Sequence, residues 1–269
     1  MIYQLRRWLP QQDLVVVGDA GYAVLDLLHA CQQLARPVTL VTRLRLDAAL
    51  YTPAPPYRGC GRPRKKGKRL PTLRVLLTAT KTVWRKQDVA WYQRAVRTME
   101  ISSDTAVWYH TGKPPVPIRW VLVRDPQGIY EPIALLATDP NARPEQIIAW
   151  FVRRWAIEVT FAETRRHLGL ETQRQWSDLA ILRSTPALLG LFSWVTLVAH
   201  HLQQTRSLPV RQTAWYAKRL PTFADALAGV RQLLWSSPAT FYMSSSQADI
   251  VKVPRPLFDR LVNALCYPV

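Results

Sequence analysis

Apolar positions follow two rhythms along this chain, and the rhythm changes near residue 144. Before it, short apolar runs predict strands. Residues 14–17 and 38–42 are continuous, apolar and rich in β-branched side chains, the pattern of strands covered on both faces. Between them, Leu25, Leu28, Cys31 and Leu34 recur at helical spacing over 22–35, and Pro37 ends the run. Strand, helix and strand in so short a stretch predict a parallel crossover. Ligands in such sheets lie at the carboxyl ends of strands. The turn Gly18-Asp19-Ala20-Gly21 follows the first strand, so Asp19 stands at such an end.

Alternating segments at 72–78, 80–86 and 106–110 predict further strands in a β-rich insertion. Residues 118–123 and 130–137 flank Asp125-Pro-Gln-Gly128 and read as a hairpin. From Pro144 the period becomes helical, with Ile147, Ile148, Phe151, Trp155 and Val159 tracing one apolar stripe. Gly169 is placed as a C-cap, Ser177 and Thr185-Pro186 mark helix starts, and Thr222 caps a helix over 222–235. The apolar run at 186–202 raises a membrane span. It is short, stands alone and runs into His200 and His201, so a buried core helix is expected instead.

Charge changes the picture most. The 269 residues carry 36 Lys+Arg against 18 Asp+Glu, a net charge of +18, while 48% of positions are hydrophobic. The chain therefore folds, and its surplus charge calls for a polyanion, nucleic acid first. Residues 58–69 concentrate it in a Gly/Pro-rich run. Gly61-Arg62-Pro63-Arg64 is similar to the minor-groove core of an AT-hook. A general phosphate-contacting loop using Arg62, Arg64, Lys65, Lys66, Lys68 and Arg69 is the broader reading, and an unpartnered loop the plainest. Three scattered cysteines, Cys31, Cys60 and Cys266, suit neither a disulfide framework nor a zinc site and point to a reducing compartment.

One helical face carries candidate chemistry. At about 100° per residue, Arg154 and Glu158 lie about 40° apart, and Glu158 and Arg165 about 20° apart after two turns. A carboxylate then lies between two guanidiniums. A solvated i,i+4 ion pair has the same spacing, but the apolar stripe beside this face places Glu158 at the edge of a core. A strand-tip aspartate and a helix-borne glutamate are together suited to hard divalent cations.

Here the sequence resembles the DDE transposases of bacterial insertion sequences. The likeness is carried by Val-Val-Val-Gly-Asp19-Ala-Gly-Tyr22, by Trp150-Phe-Val-Arg-Arg-Trp-Ala-Ile-Glu158-Val-Thr-Phe, and by Arg165 with Leu168-Gly-Leu170. More narrowly it resembles the class marked Tyr-x2-Arg-x3-Glu-x6-Lys, met here by Phe151, Arg154, Glu158 and Arg165. The resemblance implies an α/β, ribonuclease H-like core, a mixed sheet flanked by helices, with a β-rich insertion between the second and third catalytic carboxylates. It implies Asp19 and Glu158 as catalytic and metal-binding residues for two Mg2+ ions. Double-stranded DNA, both transposon ends and target, is the implied partner, contacted by Arg154, Arg165 and Phe151. Phe151 stands where tyrosine is usual and Arg165 where lysine is usual.

Only 18 residues precede Asp19, and Asp13 is too near to be the family's first aspartate. The expectation is therefore a carboxyl-terminal portion, incomplete at its N-terminus and lacking one carboxylate. The alternative is a catalytically inactive DNA-binding remnant. The expected organisation is core over 1–43, basic β-rich insertion over 44–116, core with the catalytic helix over 117–205, and a helical region over 206–269. A homodimer in a synaptic complex and a cytoplasmic, nucleoid-associated location follow from the resemblance. Trp84, Trp91 and Trp108 are core residues or receivers of a flipped base, and His167 reads as a helix-end cap.

Overall fold

After a short helix, α1 (Ile2–Trp8), the first strand, β1 (Leu14–Val17), pairs in parallel with β2 (Val38–Leu44) through the crossover helix α2 (Leu25–Gln32). The computed structural model describes residues 1–57, 59, 62–91, 96–172, 177–205, 208, 210–212, 217–218, 220–236 and 254–266. The chain divides into two compact units, Met1–Ala156 and Ile157–Val269.

In the first unit the chain continues through β3 (Leu50–Tyr51), α3 (Leu73–Thr78), β4 (Arg85–Ala90), β5 (Val96–Trp108), β6 (Val116–Arg124) and β7 (Ile133–Ala137). All seven strands share one mixed sheet, ordered β1-β2-β7-β6-β5, with β3 and β4 both on the far side of β5. Every pair except β1–β2 is antiparallel. α2 and α3 cover one face through Leu25, Leu28, Cys31 and Leu73. The helix α4 (Pro144–Arg153) covers the other through Ile147, Ile148 and Phe151. A mixed α/β sheet flanked by helices agrees with the expected fold class.

β1 alternates between the two cores, Leu14 and Val16 toward one and Val15 and Val17 toward the other. It is only half-buried, because it is the outermost strand of the sheet. The hairpin at Asp125–Gly128 forms as expected. Gly128 has φ 70°, and the Asp125 carboxylate accepts from the amides of Gln127 and Ile129.

Several expectations are corrected. Residues 72–78 were expected as a strand and form α3. Thr72 Oγ1 accepts from Val75 N, and Leu73, Leu76 and Leu77 turn to the core while Val75 is exposed. Leucines at i, i+3 and i+4 behind a threonine cap satisfy a helix better than the alternation Leu73-Val75-Leu77 satisfies a strand. The strand expected over 80–86 begins only at Arg85 and runs to Ala90. Residues 106–110 hold the end of the 13-residue β5. The apolar stripe also ends early. The helix tightens at Arg154, whose N–H donates to Phe151 O at 3.1 Å, and α5 (Trp155–Leu168) begins with Trp155 and Val159 exposed.

The second unit is helical where described, with α5 followed by α6 (Asp178–Thr205), α7 (Phe223–Ser236) and α8 (Arg255–Cys266). α5 stops at Gly169, φ 78°, with Leu170 N–H donating back to Thr164 O and Leu170 buried, a Schellman-type closure. Phe192 of α6 stacks on Phe223 of α7 at 4.5 Å, and Ala228, Val262 and Cys266 form a small core between α7 and α8. Pro186 was expected to open a helix and lies inside α6. The run at 186–202 was expected to be a buried core helix. In α6 only Val195 and Ala199 are buried, and Trp194 is 70% exposed. By length and composition α6 is the one described helix that could cross a membrane.

Thr222 caps α7 as expected, in partnership with Asp225, which is wholly buried. Asp225 accepts from the amides of Thr222 and Arg211, from the Thr222 hydroxyl, and from Lys218 Nζ. Burial raises its pKa, and these hydrogen bonds outweigh burial and hold it below the ordinary 3.8. A carboxyl lowered on folding contributes stability above its unfolded pKa and loses it as pH falls through the folded one. Asp225→Asn is expected to destabilise the second unit by about 2 kcal/mol at pH 7. Urea unfolding of wild type and variant at descending pH should show that difference shrinking below the ordinary carboxylate value.

Candidate functional site

Asp19 stands where the sequence put it, at the carboxyl end of β1. The strand's last ladder bond runs from Gly18 N–H to Val41 O at 2.9 Å, and the Thr42 hydroxyl donates to the Asp19 carbonyl. The Asp19 side chain is exposed and opens a single 3-10 turn over Ala20–Tyr22, its Oδ1 accepting from Gly21 N at 3.0 Å. Gly18 is required by contact. A Cβ there would lie 2.7 Å from the Tyr22 ring, which folds back over it while the rest of Tyr22 faces solvent. Tyr22 is therefore a packing residue of the turn. Sequence reasoning missed Thr42, which lies 23 residues from the carbonyl it holds and carries no local signal.

Glu158 lies in the first turn of α5 and is half-buried. It belongs to the second unit, and Asp19 to the first. Arg154 is half-buried at the junction of α4 and α5, its guanidinium 5.8 Å from the Phe151 ring. Arg165 does not share Glu158 with it in the expected way. Its guanidinium is engaged by Glu171, with Nε donating to Oε2 at 2.7 Å. Glu171 reaches it through a left-handed backbone, φ 63°, just past the Gly169 cap. Phe151 is 3% exposed and packs inside the core under α4.

The basic run is a loop where described, and it is tied to β3 by backbone hydrogen bonds. Residues 67–70 run antiparallel alongside β3 as a short extended segment of the loop. Thr52 N–H donates to Lys68 O, Gly67 N–H to Thr52 O and Leu70 N–H to Leu50 O, at 2.8–2.9 Å, and Tyr51 pairs with Arg69. Lys68 N–H also donates to Thr52 Oγ1 at 2.9 Å. Gly67 permits the approach, since a Cβ would meet Thr52 Oγ1 at 2.2 Å and Pro53 O at 2.5 Å. Arg62, Arg64, Lys65, Lys68 and Arg69 are exposed, and Lys66 is half-buried. Arg62, Arg64, Lys65 and Lys66 line a concavity of about 560 Å³ with Tyr109 and Gly112. Arg58, Cys60 and Gly61, including the first residue of the AT-hook-like core, lie outside the described residues.

Trp91 is buried in the core under α4, which removes it as a base receiver. Trp84 and Trp108 pack on the other core, and the Arg124 guanidinium stacks on Trp84 at 3.9 Å. His167 pairs with Glu163 at 3.3 Å, one turn back, and packs on Phe223. Cys31 and Cys266 are free and buried, and burial raises both thiols above their ordinary value. Mg2+ suits Asp19 by donor chemistry. Among the described residues, however, no group of three His, Cys, Asp or Glu side chains is close enough to hold a metal ion.

Residues 1–106 match the family described as DDE superfamily endonuclease. The match contains Asp19 and the basic segment, and the Phe151–Arg165 motif lies beyond it. The match covers less than half of the chain, and over that stretch the chain is similar to this family. No curated protein matches the chain.

Gly18→Ala is expected to displace Tyr22 and loosen the Asp19 turn, at about 1–3 kcal/mol. Chemical denaturation of the variant measures the loss.

Proposed function

We propose that the chain acts on DNA as a transposase of the bacterial insertion-sequence type, cutting and joining strands at transposon ends by DDE chemistry. The observation that carries this reading is Asp19, an exposed carboxylate at the tip of a parallel strand pair, within the stretch that matches a DDE endonuclease family. Asp19 and Glu158 are the carboxylates that would hold Mg2+. Bound as a pair, such ions stabilise charge on the attacking and leaving oxygens of a phosphodiester.

The remaining roles follow from charge and exposure. Arg62, Arg64, Lys65, Lys68 and Arg69 take backbone phosphates along the sheet edge. Arg154 and Arg165 take phosphates at the transposon end, where a planar guanidinium binds in bidentate fashion. Arg165 exchanges Glu171 for a phosphate at little cost, because both partners of that ion pair are about half exposed. Two ends brought together require two copies of the chain, so the working form is a homodimer, located with the nucleoid.

A second reading is a chain that binds DNA without cutting it. It is favoured by the basic segment, which the first unit holds in place by its own hydrogen bonds to β3.

Both readings require binding to duplex DNA that weakens steeply with salt. Arg62→Ala with Arg64→Ala should reduce the slope of log affinity against log salt by about 1.8, or 0.9 per phosphate lost. Titration at several salt concentrations by fluorescence anisotropy reads it, and wild-type protein that fails to bind duplex DNA defeats both. Asp19→Asn separates them. It should leave binding intact and abolish Mg2+-dependent nicking, whereas wild-type protein that binds and never nicks supports the silent reading.

A further inference from the structure

The basic segment contains a cation whose charge rests on aromatic rings. Lys66 is half-buried, and its ammonium lies 3.8 Å from the centre of the Tyr51 ring and 4.4 Å from that of Tyr109. The two rings meet edge to face at 6.2 Å, so together they form an open cage. Tyr51 belongs to β3, and Tyr109 directly follows β5. Lys66 therefore grips two neighbouring elements of the sheet at once. Immediately after it come Gly67 and Lys68, whose amides both bond to Thr52. Immediately before it come Arg62, Arg64 and Lys65, all exposed.

We propose that Lys66 is a positioning residue. Its charge is committed to Tyr51 and Tyr109, and it clamps the basic segment to the sheet edge so that Arg62, Arg64 and Lys65 present a ready-made row to a phosphodiester backbone. The inference rests on the DNA reading for the ligand, and on geometry alone for the clamp. An ammonium between two ring faces gains electrostatic attraction without the full desolvation cost of burial. A row of like charges ordered before binding spends less conformational entropy when the polyanion arrives. The cage also accounts for a feature that spacing alone does not explain. Within a run of six cations, Lys66 is the half-buried one, and it lies next to the glycine that cannot carry a side chain.

The clamp is tested in the free protein by amide hydrogen exchange at Gly67, Lys68 and Leu70. Lys66→Ala should speed exchange at these amides by about tenfold, the scale of one well-placed cation–π pair. Tyr109→Leu keeps every cation and should speed it likewise. Lys66→Arg should restore slow exchange, because a guanidinium also stacks on rings. DNA titration completes the test. Lys66→Ala should weaken binding with the salt slope unchanged, whereas Lys65→Ala should lower the slope by about 0.9. Wild-type exchange in Lys66→Ala, together with a slope lowered by about 0.9, would make Lys66 an ordinary phosphate contact and overturn the clamp while leaving the DNA reading standing. Faster exchange in a protein whose wild type binds no DNA would uphold the clamp and overturn its ligand.

Discussion

The candidate site depends on a single seam, the parallel pairing of β1 with β2. β1 reads Leu-Val-Val-Val and is apolar toward both cores, so burial alone hardly distinguishes one register from the next. What distinguishes them is at the tip. Gly18 closes the ladder on Val41, Thr42 holds the Asp19 carbonyl, and the Tyr22 ring fills the space a side chain at Gly18 would need. A slip by one residue would break all three. The same groups that fix the strand therefore fix the place of the carboxylate.

The electrostatics have a similar logic. A net charge of +18 is held in a folded chain whose described ion pairs are mostly exposed, and such pairs contribute little. The basic segment is kept in place by backbone hydrogen bonds to β3 and by aromatic rings, neither of which needs a counter-charge. Among the described residues no ion pair joins its exposed cations. Mutual repulsion of that kind is relieved when a polyanion binds.

The crossover, the hairpin and the caps at Gly169 and Thr222 were legible because each is written in adjacent residues. Asp19 was legible for the same reason, as a turn acid after an apolar run. α3 was misread because its leucines satisfy two periods at once, and the threonine that decides between them lies just outside the apolar letters. The pairing of Arg165 with Glu171 was not legible, because Glu171 reaches it only through a backbone reversal after the helix ends. Tyr51, Gly67 and Tyr109 could not be connected from sequence, since only the pairing of β3 with β5 brings them together. α6 is apolar enough to suggest burial, yet composition does not say how much of a 28-residue helix its neighbours can cover.

β5 gives the first unit a division of labour. One side of this strand is paired with β6 from Glu100 to Trp108. The other side is shared, with β4 along Val96–Ile101 and β3 only at Val107 and Trp108. No ladder partner occupies the stretch 102–106 between them, and Ser102, Ser103 and Asp104 there face a cavity of about 460 Å³ beside α3. β4, and β3 with its basic segment, are thus attached at separate stretches of one strand. Evolution can lengthen, shorten or reshape either one without re-registering the other.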